Sequence, residues 1–422
     1  MPAEDIARST IREGLRNASD DRLRAVVAVV DGHPQRRDID DLIEAIRPRL
    51  AALAVPRPLT VRRALAMPFH GLLTDRPGRA RDPFRIPRRV LEPLFRYALP
   101  RIDPAALAEA DRLARGHTVH DDARAVAVGR CVWRPVAEAL EDLRLDPRGV
   151  GRSIAAAGLE ADVLMECAPR LVPLLRLGES LARCFLPRNG LPLDPTLPTA
   201  PHRALLLGSM QRDPALFRLV AAGLLFRGDY PDTIARMIRD AAVKIDLPGG
   251  LALIGDVAET LLDDLEEEDA AAPPASAAAW ERRSRSALRL VLIVSELEGI
   301  ARFDALAGRV GRVLGRQFTA TVRQTVLGPL QALSDSGGVE PDQLLALEAA
   351  ARAAKRLEAA SRLAGATEAV RQGLAAAREP IGEFLRRATR RQLGGVGPAD
   401  VARLAEILLG PDEAMALLEA AG

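Results

Sequence analysis

The chain has 422 residues, 48% of them hydrophobic, and its 59 basic and 57 acidic side chains leave a net charge of +2. That apolar content excludes a disordered chain, and that charge balance excludes a global electrostatic case for nucleic acid or membrane, so any such case must be local. The length suffices for two or three domains, each with its own core.

Of the 59 basic residues only Lys244 and Lys355 are lysines, so nearly every cation is a planar, bidentate guanidinium. The three cysteines, Cys131, Cys167 and Cys184, form no C-x-x-C pair. They predict free, buried thiols in a reducing cytoplasm rather than a disulfide framework or a zinc site. The N-terminus lacks a basic n-region and an apolar h-region, and no run approaches ~18 uninterrupted apolar residues. A cytoplasmic protein without an integral membrane span is expected.

Helical spacing of apolar residues begins at 38–54, with Ile39, Leu42, Ile43, Ile46, Leu50 and Leu53 following the acidic start Asp38–Asp41. Residues 56–101 change character. They hold eleven arginines against Asp75, Asp82 and Glu92, together with eight prolines and four aromatics, Phe69, Phe84, Phe95 and Tyr97. Arginine beside aromatics suits a nucleic-acid backbone, anionic lipid or an acidic protein groove. It equally suits a segment wrapped over a helical core, with Phe and Leu buried and Arg solvated. The candidate contact residues are Arg62, Arg63, Arg79, Arg81, Arg85, Arg88 and Arg89.

Gly116-His117-Thr118-Val119-His120-Asp121-Asp122 concentrates two of the five histidines. His120-Asp121 resembles the dipeptide of HD-type metal phosphohydrolases, an all-helical family. The resemblance implies a metal held by His117, His120 or Asp121, with His70 or His33 as an earlier ligand, activating water. A helix start capped by Thr118 or Asp121 explains the same residues without metal. No metal site or cofactor is assigned.

Further helical stripes cover 104–115, 123–143, 159–185, 214–225, 231–243, 250–267 and 285–331, the last broken near Gly299. Residues 186–201 carry five prolines and are expected to be extended or turning. From Asp256 to Asp269 there are eight acids and no base, a possible intramolecular partner for 56–101. Its Asp263-Asp264-x-x-Glu267 superficially resembles the aspartate-rich motif of helical isoprenoid synthases, but neither a second metal motif nor an aromatic lining accompanies it. The Ala/Pro stretch 270–279 predicts a linker. Gly308, Gly311 and Gly315 share one helical face and predict close helix packing. Two Ala-rich helices, about 340–364 and 366–391, predict an antiparallel hairpin.

Residues 393–404, Leu-Gly-Gly-Val-Gly-Pro-Ala-Asp-Val-Ala-Arg-Leu, resemble the turn of a helix-hairpin-helix motif. The resemblance implies a DNA phosphate held by backbone N–H groups at Gly395 and Gly397, supported by Arg386, Arg387, Arg390 and Arg391. Gly394 replaces the usual Pro, and Asp400 stands where a basic or neutral residue is expected. Ordinary helix punctuation accounts for the glycines as well. No serine-hydrolase elbow or kinase signature occurs.

The expected protein is all-α: an irregular multi-helix N-terminal domain (1–269), a linker (270–279) and a C-terminal helical bundle (280–422). Its expected function is that of a non-enzymatic scaffold or adaptor, docking a protein partner, acidic by charge matching, through the Arg/Pro/Phe-rich surface. Sequence-independent nucleic-acid binding through 386–404 is the alternative, and a metal phosphohydrolase the third reading.

Overall fold

Two of the helices start where an aspartate precedes a proline. Asp103 accepts the N–H of Ala105 at 3.0 Å and Asp213 that of Ala215 at 2.9 Å, while Pro104 and Pro214 occupy first-turn positions that need no N–H. A computed structural model describes residues 58–75, 82–119, 121–143, 161–185, 199–228, 230–244, 249–270, 277–336, 339, 341–390, 393 and 396–421. The fold is all-α. Among the described residues no helix is long and apolar enough to cross a membrane. The expected helix at 38–54 and the Pro-rich 186–198 lie outside the described residues.

The chain divides into two compact units, Met1–Ile238 and Arg239–Gly422. In the first, α1 (Val61–Ala66), α2 (Leu91–Ala98), α3 (Pro104–Ala114), α5 (Ala161–Arg176) and α6 (Gly178–Phe185) gather around α4 (Asp122–Asp142). That helix is central because it is apolar on more than one face: Val128, Val132, Val136, Ala137 and Leu140 are all buried. Trp133 fills a slot beside Gly129 and Gly178, where an added Cβ would come within 2.1 and 2.6 Å of its ring, and its Nε1–H donates to the Ala64 carbonyl at 3.0 Å. Helices α7 (Thr199–Arg212) and α8 (Pro214–Arg227) complete the described part, and α9 (Pro231–Lys244) spans the division.

One pairing was not legible. Strands β1 (Leu73–Thr74) and β2 (Ile86–Pro87) run parallel, with Leu73 opposite Ile86. Two residues are too short to show an alternation.

The second unit contains α10 (Gly250–Ala270), α11 (Ala277–Ser295), α12 (Asp304–Thr321), a π-helical turn (Val322–Leu327), α13 (Gly328–Ser336), α14 (Pro341–Leu363), α15 (Thr367–Thr389), α16 (Pro398–Leu409) and α17 (Pro411–Ala421). Helix α10 packs on α11 and α12, burying Leu253, Ile254, Val257, Leu262 and Leu265. The division therefore falls inside α9, ahead of the acidic run, whereas the composition break at 270–279 places it after. Residues 271–276 lie outside the described residues, and 277–279 already belong to α11. The long Ala-rich helix α14 packs more extensively on α11 than on its chain neighbour α15. Small side chains allow close approach to whichever neighbour the topology supplies, so composition does not name it.

Candidate functional site

The Arg-rich segment turns its aromatics inward: Phe69, Phe84, Phe95 and Tyr97 are all buried. Its arginines then find different roles. Arg85, expected on a partner surface, is instead a core residue, 8% exposed, with its guanidinium 3.6 Å above the Phe226 ring. Stacking on an aromatic face lets a cation be buried where a bare charge could not be. Arg63 donates to the Pro58 carbonyl, Arg62 pairs with Glu92 at 2.5 Å and Arg88 with Asp75 at 2.9 Å. Arg89 is exposed. Arg79 and Arg81 lie outside the described residues. Much of this cluster is consumed within its own unit.

The His/Asp cluster is a helix start. Asp121 is the N-cap of α4, accepting from Arg124 N–H at 3.2 Å, and its other oxygen meets His117 Nδ1 at 2.8 Å. His120 lies outside the described residues, among which no group of three or more His, Cys, Asp or Glu is placed to hold a metal. Asp121→Ala is expected to cost about 1 kcal/mol of stability, the usual value of a lost N-cap. Urea denaturation with and without a chelator checks this; a midpoint that falls with chelator in the native chain and not in the variant would reinstate a metal. The cysteines are free, Cys167 and Cys184 buried and Cys131 half-buried, and burial pushes the Cys167 thiol up to about 11.

At the C-terminal turn, Gly397 N–H donates to Asp400 Oδ2 at 3.0 Å, so the carboxylate occupies the donor that the helix-hairpin-helix resemblance assigns to a phosphate. Arg386 pairs with Glu383 at 2.7 Å, and Arg387 donates to the Ser334 carbonyl. Arg390 is exposed; Arg391, Gly394 and Gly395 lie outside the described residues. Buried Leu393 and Val396 anchor the turn to the bundle.

A concave feature of the second unit lies elsewhere, on α12 and the π-helical turn that continues it. Arg309, Arg312, Arg316 and Arg323 fall within about 60° of one another around the helix, at the α-helical 100° per residue. They line a groove of about 1090 Å³, bounded opposite by the turn Ala364–Gly365–Ala366 and the start of α15. The small-residue face read from the sequence carries that turn: a Cβ at Gly311 would sit 2.6 Å from the Ala364 carbonyl oxygen, and one at Gly315 would sit 3.0 Å from Ala369 Cβ. Gly365, at φ +76°, supplies the left-handed residue that reverses the chain there.

Arg309 is held by Asp263 at 3.0 Å and Glu266 at 2.8 Å, both from α10, and these contacts stabilise its charged form. Arg312, Arg316 and Arg323 are exposed and, among the described residues, have no carboxylate or other polar partner. Other helices carry arginines matched to an acid. Arg112–Glu109, Arg134–Glu138, Arg352–Glu348, Arg362–Glu358 and Arg371–Glu368 are all paired one turn apart. A smaller recess of about 240 Å³ shares Ala364 and Gly365 with the groove and is lined by Val291, Val294, Phe303 and Leu363 together with Ser295, Glu298 and Asp304.

In the sequence this row is interleaved with the glycines at 308, 311 and 315, which carry the packing signal of the same helix. The signal was present: arginines at 309, 312, 316 and 323, with no acid between Asp304 and Asp335. Against this geometry, comparison with protein-family models, with curated proteins and with solved structures finds no match for this chain.

Proposed function

We propose that this chain is a non-enzymatic helical adaptor that docks a partner protein, and that the arginine-lined groove of its second unit is the principal contact. The observation that carries this reading is the unpaired row. Arg312 and Arg316 stand one turn apart, and like charges at that spacing cost a helix roughly 0.2–0.5 kcal/mol. Several helices neutralise an arginine with an acid one turn away, whereas Arg312, Arg316 and Arg323 stay open where they line a concave surface. Binding, rather than bond-making, suits the lining: guanidinium groups, the exposed amide of Gln324, and a Thr319 hydroxyl already donating to the Gly315 carbonyl at 2.9 Å. The lining carboxylate, Glu266, is engaged by Arg309.

The arginines of 56–101 become secondary contacts, because their pairing and stacking within the first unit already satisfy much of their charge. Capture from an extract of the source organism tests the reading. Full-length protein should retain a partner protein after nuclease treatment, and Arg312→Ala/Arg316→Ala/Arg323→Ala should lose it. Equal capture by both would remove the groove from the reading; capture abolished by nuclease would favour nucleic acid.

A further inference from the structure

Extending the adaptor reading, on which it rests, we infer that the docked element is an acidic linear peptide, its carboxylates on Arg312, Arg316 and Arg323. The row itself contains the precedent. Its first arginine, Arg309, is already bound by two carboxylates from α10, at 3.0 and 2.8 Å. An acidic peptide continues the same chemistry along the next three positions.

The spacing selects a linear ligand over a compact one. Arg312 and Arg316 lie roughly 6 Å apart along the helix axis, and Arg323 roughly 10 Å beyond. Three guanidiniums so distributed, over roughly 16 Å of helix, match charges repeated along an extended chain. Arg also presents the planar fork that carboxylates accept bidentately.

The lining selects peptide over nucleic acid. Single-stranded DNA and RNA are held by aromatic platforms as well as cations, and no aromatic residue lines the arginine groove. The adjoining recess, which shares Ala364 and Gly365 with the groove, sets the exposed carboxylates of Glu298 and Asp304 beside Val291, Val294 and Phe303, so an acidic ligand is kept to the arginine side of the turn.

The experiment uses the whole chain and three fluorescein-labelled probes: a Glu-rich peptide, the same peptide with every Glu replaced by Gln, and oligo-dT. Anisotropy should show binding of the Glu peptide, weakened at least about tenfold by the Gln probe, by the triple arginine-to-alanine change, and by raising salt from about 0.05 to about 0.5 M. Arg316→Glu serves as a second variant, and far-ultraviolet circular dichroism confirms that each remains helical. No binding of the Glu peptide below about 1 mM, binding indifferent to the arginines, or preferential binding of oligo-dT overturns the inference. A partner still captured from extract through the groove would then leave the adaptor reading standing; failure of both assays removes both.

Discussion

Trp133→Ala is expected to lower the stability of the chain's first unit by about 4 kcal/mol, within the range for removing a large buried aromatic. The indole is 3% exposed and lies between Gly129 and Gly178, so the walls of its slot include backbone with no side chains to swing into the space. A cavity lined this way collapses poorly, which puts the cost toward the upper part of that range. The lost hydrogen bond adds little, because the Ala64 carbonyl also accepts the Met67 N–H. Trp133→Phe should recover about half of the loss by refilling part of the slot. Denaturant unfolding followed by circular dichroism decides it; a loss under about 1 kcal/mol would mean that α1, α4 and α6 close over the gap.

Phe318→Ala is expected to cost the second unit about 3–5 kcal/mol. Phe318 is fully buried on the face of α12 turned away from the arginine row, and its ring lies over Gly373 of α15, where an added Cβ would come within 2.7 Å of Cε1. The contact holds α12 against α15, so it also sets the width of the groove between the arginines and the 364–366 turn. Two properties should therefore separate. The triple arginine variant should keep its unfolding midpoint and lose ligand, because its side chains are exposed. Phe318→Ala should lose stability and, through a loosened groove, affinity as well. Trp280, 7% exposed and in the second unit, reports this unfolding by fluorescence in a Trp133→Phe background. An unchanged midpoint in Phe318→Ala would show that α15 is held by other contacts, and the argument for a preformed groove would weaken with it.

By itself the sequence determined what is local. Apolar spacing placed α3, α4, α8, α9 and α10, and Ala-rich composition α14 and α15, close to their observed limits, because both are properties of the chain alone. Asp121 was readable as a cap for the same reason: its partner, the N–H of Arg124, is three residues away. Tertiary structure decided everything that depends on which face meets which. Arg85 and Arg89 sit four residues apart in one basic stretch, yet one stacks under Phe226 and the other is exposed, a difference set by a helix some 140 residues further on. The acidic run proved to hold Arg309 inside its own unit because α10 packs on α12, and neither charge nor composition encodes that neighbour. The glycines of α12 announced close packing, but only the fold shows that the 364–366 turn rests there, leaving Arg312, Arg316 and Arg323 open along a groove. Charge can be counted from sequence; whether it is already neutralised depends on distances between residues far apart in the chain.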